Sequence, residues 1–214
     1  MAINKPAGVV IHPTYRNTSG TILNGILWHL RDREGVRPGL LSRLDKDTSG
    51  VVLVALSAGA HAQMQRDAHA GRVAKQYLAV VTGSPKAREG IIRLRLRRDR
   101  ADRRRVVVAG DGAPSETRYR VLTSVDGWSL LSCELVTGRT HQIRVHLAAC
   151  GWPVVGDQLY GLPDARIARQ ALHAWRATVP HPATRECLTV VAPVPPDLEP
   201  FCSETQLSRG VPSS

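Results

Sequence analysis

The sequence predicts an α+β fold: a large mixed, mostly antiparallel sheet flanked by helices and loops. Three observations point there. Strand-like stretches outnumber helical stripes, most of them follow one another along the chain, and from residue 91 the apolar residues recur every second position rather than every three to four. The 214 residues are enough for a sizeable core. One main domain is expected over residues 1–198, followed by a tail at 199–214 that loses apolar period and is expected to be partly disordered. No internal repeat is present.

Taken in order, "PAGVVIHP" (6–13) reads as a short strand closed by Pro13. It begins so near the first residue that either the chain is naturally short there or an N-terminal segment is missing, and no separate N-terminal RNA-binding module is expected within the given sequence. "TSGTILNGILWHL" carries a helical stripe at residues 22, 23, 26, 27 and 30, with Ser19 or Thr18 as its cap. "VVLVALS" (51–57) is short and β-branched and reads as a buried strand. Ser57 then caps a helix that Gly71 ends. "AKQYLAVVTG" (74–83) is a further strand. "IIRLRLRR" alternates at period two, and "RRVVVAGDG" reads as a strand and turn. "ETRYRVLTSVDGWSLLSCELV" reads as two strands about an Asp-Gly turn at 126–127. "TGRTHQIRVHLAACG" (137–151) reads as a helix capped by Thr137 and stopped by Gly151. "VVGDQLYG" is a loop, and "ALHAWRATV" and "CLTVVAPVP" are late strands.

The charge is unusual: 29 Lys and Arg against 18 Asp and Glu leave a net +11. Clustered cations of this kind suit a phosphate backbone, where they release condensed counterions. The segment 93–105 concentrates eight arginines in thirteen residues. Arginine without lysine favours planar, bidentate phosphate contact, so Arg97, Arg98, Arg103 and Arg104 are candidate RNA- or DNA-binding residues, with a solvated hairpin as the plainer alternative. With few aromatic residues for stacking, a structured RNA recognised by shape and phosphates fits better than a bare single strand. No basic amphipathic helix or long apolar run suggests a membrane. The four cysteines at 133, 150, 187 and 202 form no C-x-x-C pair and no Cys/His cluster. That spacing argues against zinc and for a reducing cytoplasm, with Cys133 and Cys150 as small apolar core residues. A monomer is expected.

Two short stretches carry chemistry. "LLSRLDKDTSG" (40–50) packs Arg43, Asp45, Lys46 and Asp47 into five residues directly before the buried strand at 51. A charged turn at the mouth of a core strand can hold a carboxylate rigidly. Asp47 is expected to serve the Thr48-Ser49 backbone. "TGRTHQIRVHLA" places Arg139, His141, Arg144 and His146 on one expected helix. The bland alternative there is an amphipathic helix with a polar outer face. His141 and His146 lie five apart, which does not suit a metal pair.

These blocks, together with "NKPAGVVIHP", "KQYLAVVTG", "VVGDQLYG" and "LHAWRATVPHP", resemble the pseudouridine synthases of the large-ribosomal-subunit (RluA-like) type over nearly the whole chain. The resemblance implies the pseudouridine synthase fold and isomerisation of specific uridines in rRNA or tRNA, with no cofactor. It implies Asp45 as the nucleophile, Tyr77 as the active-site tyrosine against the base, and Arg144 as the arginine that keeps the aspartate charged. Arg139 is the alternative to Arg144 within the same motif. Arg43, Arg139 and His141 join the RNA-binding candidates. Ser42 stands where the family usually has histidine, which bears on substrate preference. A catalytically silent RNA-binding or ribosome-assembly protein of the same fold is the competing reading.

Overall fold

The computed structural model describes residues 1–15, 17–125 and 127–202. In chain order the elements are β1 (Ala2–Lys5), α1 (Ile22–His29), β2 (Gly39–Leu40), β3 (Ser49–Ala55), α2 (Ala58–His69), β4 (Ala74–Thr82), β5 (Glu89–Arg98), β6 (Val106–Val108), β7 (Ala113–Val125), β8 (Trp128–Leu135), α3 (Gln142–Ala149), β9 (Leu172–Pro180) and β10 (Cys187–Val191). Strands dominate and their named pairings are antiparallel, so the expected α+β class with a large, mainly antiparallel sheet holds. The described residues form two compact units, 1–75 with 174–193, and 76–173 with 194–202.

In the first unit β3 is the central strand. All seven of its residues are buried, as a β-branched run with no polar face requires. β1 pairs with it from Ala2↔Leu53 to Lys5↔Gly50, and β2 pairs with its far end at Ala55. The core gathers Val51, Leu53 and Ala55 of β3, Met64 of α2, Ala177 and Val179 of β9, and Ala192. Ser57 caps α2, accepting from the Ala60 N–H, and Gly71 at φ +70 ends it, as expected. The Asp67 carboxylate of α2, which is fully buried, takes two hydrogen bonds from Arg185 at 2.6 and 2.8 Å and one from Arg72 at 2.9 Å.

Two expectations in this unit are corrected. The first strand is Ala2–Lys5, not 6–13. Pro6 has no N–H to donate, Gly8 turns the chain at φ +84, and the carbonyls of Pro6 and Val9 serve a side chain instead of a neighbouring strand. The cap of α1 is Thr21 rather than Ser19 or Thr18. Thr21 and Asn24 form a reciprocal capping box, in which Asn24 does the work usually given to Glu or Gln.

In the second unit β4, β8, β7, β5 and β6 lie side by side in that order. The period-two reading of 91–98 holds: Ile92 and Leu96 are buried, while Ile91, Arg93 and Arg95 face out. β7 and β8 are the expected hairpin. Gly127 of its turn has φ +88, and Asp126 lies outside the described residues. Leu96, Val106 and Val145 pack together where the sheet meets α3.

Ordered chain continues past residue 198. Glu199–Phe201 makes one turn of 3-10 helix, and Phe201 packs edge-on against Trp128 with ring centroids 5.3 Å apart. The rest of the expected tail, 203–214, lies outside the described residues. Cys133 is fully buried, Cys150 and Cys202 are half-buried and Cys187 is exposed on β10.

Candidate active site

Asp45 sits in the irregular stretch between β2 and β3, half-buried, with Arg43 and Lys46 exposed on either side and Leu44 buried between. The stretch is immobilised from its own backbone. Asp45 C=O accepts the Thr48 N–H at 3.1 Å, and Lys46 C=O accepts both the Gly8 N–H at 3.0 Å and the Lys5 ammonium at 2.8 Å. Lys5 is wholly buried. It places its remaining donors on the Pro6 and Val9 carbonyls, each at 2.8 Å. A buried ammonium is costly unless its donors are met. Here three carbonyls meet them and tie the 6–9 turn to the loop that carries Asp45.

Gly50 closes the other side. Its φ is +113, and a Cβ would stand 2.1 Å from the Ala174 carbonyl oxygen, so only glycine passes there. Asp47 is half-buried. Lys75, at the end of the first unit's 1–75 segment, is half-buried, and desolvation draws its amine below the usual lysine range.

In the second unit Tyr77 lies on β4, 6% exposed, directly across from Cys133 of β8, which in turn faces Tyr119 of β7. Strand alternation therefore puts Tyr77, Cys133 and Tyr119 on one face. Arg144, also 6% exposed, projects from α3. Its Nε and Nη2 donate to the two oxygens of Asp157 at 2.7 Å each, a bidentate fork. Burial pushes the Asp157 carboxyl up. The Arg144 guanidinium and the N–H groups of Leu159 and Tyr160 outweigh that and hold it below the usual range.

α3 starts later than the sequence suggested, at Gln142 rather than near Thr137, because His141 adopts a left-handed φ of 53 at the N-cap. Thr137 does not cap. Its hydroxyl donates to Gln142 Oε1 and accepts the Glu116 N–H. The Gln142 amide donates to Glu116 C=O and Thr117 Oγ1, bolting the helix start to β7. Nor is there a polar outer face: every residue from Gln142 to Leu147 is buried. His146 is completely enclosed, with its Nε2 2.8 Å from Ser115 Oγ.

The other sequence candidates lie on or beside the β5–β6 hairpin. Arg97 pairs with Asp111 at 2.8 Å, and Arg104 with Asp102 at 2.8 Å, holding that carboxyl down at about 2. Arg98 and Arg103 are exposed and have no carboxylate partner among the described residues. Arg139 is exposed, its Nε 3.4 Å from Pro114 C=O. His141 Nδ1 lies 2.8 Å from the Tyr160 hydroxyl. Sequence reasoning missed Lys5, Asp157 and Tyr160. Lys5 stood in the "NKP" block, and Asp157 and Tyr160 in "GDQLYG", which read as loop and entered the resemblance with no role for either residue.

A model of the RNA pseudouridylate synthase family matches residues 1–149. The ribosomal large subunit pseudouridine synthase D of Nitrosomonas europaea is 40% identical, over 99% of this chain and 63% of its own length. An uncharacterized RNA pseudouridine synthase of Bacillus subtilis, YlyB, is 39% identical, over 92% of this chain and 67% of its own. This chain thus spans about two thirds or less of the relatives it matches. Among solved structures, human RNA pseudouridylate synthase domain containing 1 superposes with a TM-score of 0.75 at 28% identity, covering 97% of this chain and 89% of that one. The residues that immobilise Asp45 fall inside the matched region, as do Tyr77 and Arg144, and the chain belongs to the RNA pseudouridylate synthase family.

Proposed function

We propose that the protein isomerises uridine to pseudouridine in RNA, with Asp45 as the nucleophile. The bond from the ribose anomeric carbon to N1 breaks, the uracil turns while still held, and C5 joins the sugar. The C5 proton leaves and N1 gains one. No atom is added and nothing is oxidised, so the chemistry calls for no cofactor. The observation that supports this reading best is the rigid seat of Asp45: a carboxylate on a loop pinned by a buried ammonium and a glycine that no other residue can replace. Such fixing supplies the orientation that a nucleophile needs at the moment of attack.

In this reading Arg144 is the cation that keeps Asp45 ionised, and Tyr77 lies against the base. Ribosomal RNA is the favoured substrate, because the Nitrosomonas relative is named for the large ribosomal subunit. Asp45→Asn keeps the shape and removes the charge. Turnover should fall roughly a thousandfold or more, about 4 kcal/mol of transition-state stabilisation, with RNA affinity little changed. Tritium release from C5-labelled uridine in RNA reads the rate, and carbodiimide mapping of RNA with and without the protein locates the uridine. Near-normal turnover in the variant removes Asp45 from the mechanism. RNA binding with no tritium release by the wild type favours the silent RNA-binding alternative.

A further inference from the structure

Tyr160 stands where the arginine hairpin meets Arg144. Its hydroxyl accepts the N–H of Val106, the first residue of β6, at 2.7 Å, and lies 2.8 Å from His141 Nδ1 at the start of α3. Its ring lies under two guanidinium groups: the Arg105 Cζ is 5.3 Å from the centroid and the Arg144 Cζ is 5.1 Å away. Its own N–H donates to Asp157 Oδ1 at 3.2 Å, the oxygen that also receives Arg144 Nη2 at 2.7 Å. Arg105 closes the 99–105 loop, donating from its N–H to Asp102 C=O and accepting the Asp99 N–H on its carbonyl. One residue therefore touches the last arginine of the hairpin, the first residue of its return strand, the N-cap of α3, and both members of the Arg144–Asp157 fork.

The geometry points to Tyr160 as a positioning residue that couples RNA on the β5–β6 hairpin to the setting of Arg144. This rests on the reading of Arg144 as part of the catalytic machinery and of the hairpin as the RNA grip. The physical route is short. A phosphate competes with the Tyr160 ring for the Arg105 guanidinium, because a full anionic charge attracts it more strongly than a ring quadrupole does. Drawing the hairpin towards RNA pulls on the Val106 N–H and with it on the Tyr160 hydroxyl. The ring that supports Arg144 and the backbone N–H that orients Asp157 belong to that same residue, so the fork shifts with it. Arg144 reaches its working geometry only when RNA lies on the hairpin, and free uridine gains nothing from that step.

Tyr160→Phe tests this with little disturbance, since the ring and both guanidinium contacts stay while the hydroxyl links to Val106 and His141 go. The Arg144 Nε–H, held in its bond to Asp157, gives a slowly exchanging nitrogen-proton resonance, assigned by its loss in Arg144→Met. In the wild type an RNA stem-loop containing uridine should shift that resonance. In Tyr160→Phe the shift should largely vanish, while RNA affinity stays within about threefold and the single-turnover rate at saturating RNA falls roughly tenfold. Arg105→Gln, which leaves every hydroxyl bond in place, should weaken the same response. An unchanged shift in Tyr160→Phe overturns the coupling. So does a variant that loses RNA affinity but keeps its full rate at saturation, because Tyr160 would then serve grip alone. If the wild type releases no tritium, the isomerase reading fails, and the resonance still decides the coupling.

Discussion

His146 carries its polarity into an apolar interior on a single hydrogen bond. Ser115 donates its hydroxyl proton to Leu94 C=O and so accepts from His146 Nε2, which fixes the neutral ring with its proton on that nitrogen. Nδ1 has no partner among the described residues, and desolvation lowers the ring's pKa to about 4 from 6.5. The unfolded chain takes up a proton near pH 6.5 and the folded chain only near 4, so stability falls as pH drops through that window and is level above it. Urea unfolding at pH 5 should give about 2 kcal/mol less than at pH 7 from this residue. His146→Gln keeps a donor for Ser115 and should flatten that difference. An equally steep acid loss in the variant would assign it elsewhere. At this scale the sequence singles out Asp45 from a charged turn and Arg144 from a dense motif as candidates, whereas Tyr77 comes forward only through the family resemblance. Lys5 and Asp157 were not legible because their roles come from partners remote in sequence, the Lys46 carbonyl and Arg144. A lysine before proline or an aspartate after glycine reads locally as a turn.

Helix α2 is fastened by one ion cluster. Asp67 near its end is gripped by Arg185, which lies in the β9–β10 connection and takes a left-handed φ of 65 to do so. The Arg185 guanidinium first, then Arg72 and Gln63, hold the Asp67 carboxyl well below its usual 3.8. A depressed carboxylate contributes stability above its unfolded pKa and loses it as pH falls through the folded one. Asp67→Asn should lower the melting temperature by several degrees at neutral pH, and the gap should narrow as the pH is taken below about 4. A gap that persists unchanged in acid would mean that shape rather than charge holds α2. The element boundaries show what pattern reading misses. The strands from β3 to β5 and the β7–β8 hairpin were plain from period and turn residues. β1 was displaced because its pairing depends on β3, and α3 was overlong because His141 leaves the helix through its backbone while its side chain is taken by Tyr160.

Across the whole molecule the excess of cations is real but partly spent. Arg97 and Arg100 share Asp111, Arg104 holds Asp102, and Arg93 and Arg118 share Glu116. Such exposed pairs are weak and open readily, yet each must open before its arginine can serve a phosphate. Binding to RNA should weaken linearly in log salt, and replacing Arg97, Arg98, Arg103 and Arg104 with Gln should flatten the line. Arg98→Gln with Arg103→Gln alone should account for most of that change, roughly 0.7 to 0.9 in slope for each phosphate no longer neutralised. A double variant with the wild-type slope would place the RNA on another surface. Most turnover at saturating RNA should survive in either variant, since both leave Arg105 and its contact with the Tyr160 ring in place.

The four free cysteines leave one more consequence. The Cys133 and Cys202 thiols are pushed up to about 12 by burial, and Cys150 is raised for the same reason, so all three are starved of the reactive thiolate. Cys187 alone faces water, at the start of β10 opposite Pro180. A maleimide dye added to the native protein would therefore mark a single point in the first unit, whereas the arginine hairpin belongs to the second. The natural sequence thus supplies a ready fluorescent reporter position without any engineered thiol.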